Sequence, residues 1–200
     1  ASGSEFDQPL MRWLADRMAR EYVASGFPEQ ARGVYALLAF LFRDRTPAPA
    51  EFPGVPNVLS LDGVQEGVMR SDGGQFIPRL VTAVKGKGEV STHHAQQDQG
   101  SFVLYANGEM LLLDPGYFEG GATSHSLPLI GEPDGEALDP RAVCPITDVW
   151  EKGPLRSMTV DATAAYAPGR ARGQAARRAR RVFVQVGEAA TIVLDDTVPA

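Results

Sequence analysis

The sequence predicts a mainly β protein, an antiparallel β-sandwich preceded by a short α-helical hairpin. Three observations predict it. Apolar residues spaced three to four apart are confined to the stretch before Arg43, a proline-dense segment follows, and beyond Asn57 the chain breaks into short β-branched and aromatic runs separated by turn residues.

The helical part comes first. From Asp7 to Ala24, the residues Leu10, Trp13, Leu14, Arg17, Met18 and Tyr22 fall on one face, Pro9 suits a first turn and Gly26 a stop. A second helix is expected from Pro28 to about Phe42, with Val34, Leu37, Leu38, Leu41 and Phe42 as its apolar face. Together they place a helical hairpin over residues 7–46. Residues 1–6, ASGSEF, read as a cloning remnant and are left out of the fold. The stretch at 47–56, PAPAEFPGVP, cannot continue a helix and reads as an extended linker.

Residues 57–200 then supply the sandwich. The runs VLSL, GVQEGVMRS, QFIPRLVTAV, GSFVLYAN, EMLLLD, SMTVDATAAY, RVFVQV and ATIVLDD are the expected strands. Asn107-Gly108, between FVLYA and EMLLL, is the strongest hairpin signal, since a two-residue turn needs positive φ. The last run, Ala190 to Asp196, ends close to the last residue, so an incomplete sandwich is expected.

Composition excludes several functions. Two hundred residues can bury one or two cores. A formal charge of −6, from 19 basic and 25 acidic residues, argues against a general nucleic-acid partner, which calls for a basic face. The single cysteine, Cys144, allows no internal disulfide and no multi-cysteine zinc site. No run approaches the roughly twenty apolar residues of a membrane span, so no membrane partner is expected. No signal peptide stands in these residues, which leaves compartment open between bacterial periplasm and cytoplasm. No organic cofactor is expected.

The chemistry-bearing window is Ser91 to Gly116, STHHAQQDQGSFVLYANGEMLLLDPG, which holds His93, His94 and two aspartates beside an alternating apolar run. Three readings of it compete: a metal site, a substrate-facing catalytic edge, or polar residues at the mouth of a sheet. A histidine beside a strand is commonly a structural hydrogen-bonding residue. Asp98 suits a turn cap, Asp114 before Pro-Gly is an ordinary turn residue, and His125 follows a small-residue loop.

The order GVMRSDG, HAQQDQGSFVLYANGEMLLLDPGYF, SHSLPLIGE, ARRVFVQVG and TIVLDD resembles the heparinase II/III-like family of polysaccharide lyases, through about Pro28 to Ala200. The resemblance implies a supersandwich-like β domain after a helical toroid, with an acidic polysaccharide bound in the cleft between them. It implies β-elimination at a uronate. On that basis the chain is a C-terminal piece whose missing toroid residues, including the catalytic base, belong to the same protein, so the chain alone should turn over little substrate.

Site residues follow from the same resemblance. His94 matches a histidine close to the substrate carboxylate, and Asp98 would orient it; these two are the expected catalytic residues. His93, a neighbour with no family counterpart, and Tyr117, an aromatic that can stack on a sugar ring, are expected on the substrate by position and residue type. Asp114 and His125 match ligands of a zinc site, but Gln96 stands where the family has a further histidine, and Ser126 replaces a family asparagine. A glutamine oxygen is a poor zinc ligand, so zinc or another divalent metal would be held by a weakened set of Gln96, Asp114 and His125.

The run Gly169 to Arg181 carries six arginines. Arg177 and Arg178 in it are candidate contacts to an anionic sugar, since guanidinium pairs bidentately with carboxylate or sulfate. The competing expectation, which charge runs usually satisfy, is a solvated loop leading into RVFVQV. Tyr105, Tyr117, Phe118, Trp150 and Tyr166 can stack on sugar rings or fill the core. Two other functional classes stay open. A metal-binding cupin-like barrel finds a loose echo in Gly88, His93, His94, Asp98, Pro115, Gly116 and His125, and a non-catalytic sugar-binding or structural sandwich fits the strand pattern equally.

Overall fold

The structure, a computed structural model, describes residues 13, 17, 50–89, 95–116, 121–130, 138–166 and 176–200. The hairpin expected at 7–46 lies outside these residues, apart from Trp13 and Arg17, which are both helical. Among the described residues no helix is long and apolar enough to cross a membrane.

The chain divides into two compact units, Ala1–Val55 with Gly73–Phe76, and Pro56–Asp72 with Ile77–Ala200. In the first, Trp13 packs against Phe52 and Phe76 with ring centroids 5.0 and 4.7 Å apart. The Arg17 guanidinium lies 4.4 Å from the centre of the Phe76 ring, a cation–π contact that closes this small cluster.

The second unit is a β-sandwich, as the alternating runs require. One antiparallel sheet takes β1 (Val58–Leu61), β2 (Glu66–Arg70), β3 (Leu80–Lys85), β4 (Phe102–Ala106) and β5 (Glu109–Leu112), in that order. The other takes β6 (Ile146–Lys152), β7 (Leu155–Asp161), β8 (Ala176–Val186) and β9 (Ala190–Pro199). Each sheet is a meander in which every strand pairs with the one before it. A cupin-type jelly roll needs strands that cross between sheets, so the cupin-like barrel is not the fold formed.

Alternation decides the faces. In β3, Leu80, Thr82 and Val84 are buried while Val81, Ala83 and Lys85 are half-buried. In β8, Ala179, Arg181, Phe183 and Gln185 point inward. Met69, Val84, Met158, Val160 and Phe183 form the centre of the core, with Phe102 edge-on to Phe183 at 5.3 Å. Polar bonds also cross between sheets: Thr82 Oγ1 donates to Gln185 Oε1 at 3.3 Å, and the Ile146 amide donates to Gln65 Oε1 at 2.6 Å. At one end Lys87 and Cys144 exchange both backbone bonds. Cys144 is fully buried there, and burial pushes its thiol up to about 12.

The Asn107-Gly108 turn forms as expected, with φ of 50° and 93°. Strand β6 was not expected from its sequence, ITDVWEK. As an edge strand with five exposed residues and a register shift between Thr147 and Trp150, it carries no alternating signal. The arginine run corrects a second expectation. Arg177, Arg178, Arg180 and Arg181 are not in a solvated loop but inside β8, because acids on adjoining strands absorb the charge. Arg178 pairs with Asp196 at 2.8 Å, and Arg180 with Asp148 at 3.2 Å and Asp161 at 3.7 Å.

Close backbone approach fixes some glycines. A Cβ on Gly86 would strike the carbonyl oxygens of Cys144 and Gln65, neither of which can rotate away, whereas one on Gly63 would meet nothing within 4 Å. Gly86→Ala is therefore expected to lose about 1–3 kcal/mol in urea unfolding. Gly63→Ala should stay within roughly 0.5 kcal/mol of the parent protein. Equal stability of the two variants would refute the packing argument.

Candidate functional site

The site is built from loops that enter and leave the first sheet. Residues Gln96 to Gln99 reach β4 through a bend at Gln97 and a turn at Gln99, and successive side chains are used on opposite sides. Gln97 turns away from the cleft, donating to the Leu138 carbonyl at 2.8 Å and accepting from the Ala122 amide at 3.3 Å. Gln99 is fully buried and donates to the Asp139 carbonyl at 3.4 Å. Gln96 and Asp98 point the other way, into a cleft of about 220 Å³.

The cleft lies on the outer face of the first sheet. Its floor is Val68, Ala83 and Val103, which are cross-strand partners on β2, β3 and β4. Glu66 and Lys85, paired in the same register, form one wall, and Asp98, Gln96 and Asp114 stand with them. The Lys85 ammonium is 3.3 Å from the carboxylate of Asp98, whose side chain is only 7% exposed, and 3.6 Å from that of Glu66. Burial alone would lower the Lys85 pKa, but the charges and hydrogen bonds of Asp98 and Glu66 together outweigh it, and the net direction is upward.

Asp114 is the turn residue its sequence context allowed, and it also pairs with His125. One carboxylate oxygen accepts from the Gly116 amide at 2.8 Å, closing the turn, and the other lies 2.8 Å from Nδ1 of His125. His125 follows the short 3-10 turn Ala122–Ser124, with its side chain wholly buried. Its Nε2 is buried and has no hydrogen-bond partner among the described residues. Gln96 Nε2 donates to the Gly116 carbonyl at 3.0 Å. Gln96, Asp114 and His125 are thus brought into one connected cluster. Among the described residues no three His, Cys, Asp or Glu side chains converge.

The remaining expectations fall as follows. His93, His94 and Tyr117 lie outside the described residues. Asp98 spends its carboxylate on Lys85, while its backbone carbonyl accepts from the Ser101 amide at 3.0 Å. Arg177 and Arg178 sit on β8 and are not among the residues lining the cleft. Tyr166 is a core residue, its hydroxyl donating to the Pro128 carbonyl at 2.7 Å, and burial raises its pKa. Ser126 binds both backbone groups of Phe102, accepting from its amide at 3.0 Å and donating to its carbonyl at 2.7 Å.

Sequence reasoning missed Lys85, Glu66 and Arg181. A lone charge ending the apolar run LVTAVK was a signal for Lys85. Arg181 was hidden among five other arginines, and only strand register identifies it as the one facing the core.

No family model and no curated protein matches the chain. Among solved structures it resembles the heparan sulfate lyase HepC from Pedobacter heparinus, with a TM-score of 0.52 and 18% sequence identity over 94% of this chain and 28% of that one. A mutant of the same lyase gives a TM-score of 0.48 and 17% identity over 96% and 28%. At this identity, what is shared is the fold, and the chain spans little more than a quarter of the lyase's length.

Lys85 gives a pH prediction whose sign is fixed. Because its folded pKa is raised above 10.5, its stabilising contribution is complete below that value and is lost as pH climbs through the folded pKa. Lys85→Met should cost roughly 1–2 kcal/mol at neutral pH, since it strips the counterion from a buried carboxylate. In urea unfolding the gap between variant and parent should narrow above pH 10.5. A gap independent of pH would show that the pair contributes through packing alone.

Proposed function

We propose that this chain is the sandwich portion of a polysaccharide lyase that cleaves a uronate-containing acidic polysaccharide by β-elimination, with the cleft on the first sheet as its contribution to the sugar path. The observation that carries the reading is the meeting of Gln96, Asp98 and Asp114 at a cleft, with His125 bonded to Asp114 from a third loop, on a fold shared with a heparan sulfate lyase.

Beta-elimination needs a base for the proton beside the uronate carboxylate, an acid for the leaving oxygen, and positive charge or donors facing the carboxylate. His94 is assigned the carboxylate-facing donor role, with His93 and Tyr117 on the substrate, and the base is assigned to helical residues of a longer protein. The Lys85 ammonium, clamped between Asp98 and Glu66, presents a cation at the cleft wall.

The charge balance of the cleft bears on the metal. Glu66, Asp98 and Asp114 oppose one ammonium, a net negative lining that repels a polyanion unless more positive charge is present. The Asp114 carboxylate and the Gln96 amide oxygen are donors suited to a divalent ion that accepts oxygen ligands, more than to zinc, and His125, whose Nδ1 faces Asp114 while its Nε2 lies on the far side of the ring, would support that carboxylate from behind. Such an ion would neutralise the lining and draw the uronate carboxylate toward it. Arg177, exposed on β8, is a separate candidate contact to the anionic chain.

The test is elemental analysis of the purified protein and of a His125→Ala variant, together with ultraviolet detection of unsaturated uronate on a panel of uronate polymers. A near-stoichiometric divalent metal that the variant lacks, and an absorbance rise when the chain is part of its longer protein, are the expected results. Binding of polymer without any absorbance rise in that longer protein would replace the lyase reading with a sugar-binding one. Absence of metal from both samples would remove the ion and leave His125 and Asp114 as a structural pair.

A further inference from the structure

Arg181 is nine-tenths buried on β8, and each of its guanidinium nitrogens donates to a partner. Asp195 holds it bidentately, at 2.7 Å to Nε and 3.1 Å to one terminal nitrogen. The other terminal nitrogen donates to the Gly100 carbonyl at 3.0 Å and also to the Ser126 carbonyl. The rings of Phe102 and Phe183 lie 5.6 and 5.8 Å from its central carbon.

Those two carbonyls are not arbitrary. Gly100 is two residues after Asp98, and Ser126 is the residue after His125. One cation on the second sheet therefore holds the ends of two of the three loops that supply the candidate site, and Ser126 in turn ties its loop to Phe102. We propose that Arg181, oriented by Asp195, is a positioning residue that sets the His125 imidazole against Asp114 and holds Asp98 at the cleft. It touches neither the cleft nor any reacting atom. A guanidinium is suited to this because its planar fork serves a carboxylate and two carbonyls at once, which an ammonium or an amide cannot do with the same geometry. The inference rests on the reading of Asp98 and His125 as site residues, but its test needs neither turnover nor metal.

The test is made on this chain, labelled uniformly with nitrogen-15 and kept in chelator-treated buffer. The Nδ1 proton of His125, held by the Asp114 carboxylate, should give a slowly exchanging signal that vanishes in His125→Ala. In Arg181→Gln that proton should exchange about tenfold or more faster, the loss expected when charge-assisted bonds are removed. The Met158 amide in the core is the internal control, and its exchange should change less. Arg178→Gln, which breaks an exposed ion pair on the same strand, should leave the His125 signal as in the parent. If Arg181→Gln keeps a dispersed spectrum and parental exchange at His125, the proposal is overturned. The same holds if His125 and Met158 accelerate equally, which is the mark of a purely global effect. Should that variant fail to fold, Asp195→Asn is read by the same criteria. If the parent shows the slow proton while the longer protein gives no absorbance rise on any uronate polymer, the functional reading fails while the positioning role stands.

Discussion

Strand register is the constraint on which the site depends. In the first sheet, Met69, Val84 and Phe102 lie on the core face, and Glu66, Val68, Ala83, Lys85 and Val103 lie on the other. A slip of one residue at β3 would bury Lys85 and expose Val84, so the cost of burying an unpaired charge selects the register that also builds the cleft. Core and site are two faces of one decision. The outer face carries a half-buried apolar floor and a charged wall because the inner face leaves it no other composition.

Within that frame the loops are held by polar side chains rather than by apolar packing. Gln97 and Gln99 anchor the segment before β4 to the chain near Leu138 and Asp139, and Ser126 anchors the segment after the 3-10 turn to Phe102. The QQDQ sequence uses alternation outside a strand, with glutamines fastening the backbone on one side while Gln96 and Asp98 are offered on the other. Such anchors fix backbone direction more sharply than dispersion contacts, because each has a donor–acceptor geometry to satisfy.

How much was legible divides along physical lines. Strands β1 to β5 and β7 to β9 were readable as short β-branched and aromatic runs between turn residues, with buried and less buried positions alternating most clearly in β2, β3 and β8, and the Asn107-Gly108 turn because positive φ admits few residues. Strand β6 was not, since an edge strand exposed on both faces leaves no period to detect. The arginine run looked like solvated charge because its partners, Asp148, Asp161, Asp195 and Asp196, are distant or unmarked in sequence and are brought close only by strand pairing. Asp114 and His125 were expected from resemblance only as co-ligands of a metal, and neither their direct pairing nor the capture of Asp98 by Lys85 across neighbouring strands is encoded in local spacing.

The meander order carries a consequence for how the molecule assembles. Every strand pairs with its immediate predecessor, so each sheet can zip up from short loop closures that cost little chain entropy. The bonds joining the sheets are of another kind: Thr82 to Gln185 spans 103 residues and Gln65 to Ile146 spans 81. Locally paired sheets that must then find each other across long separations place the kinetic barrier at docking rather than at hairpin formation. The Arg181 bonds to Gly100 and Ser126 belong to that late class, so the site is completed only when the two sheets close on each other.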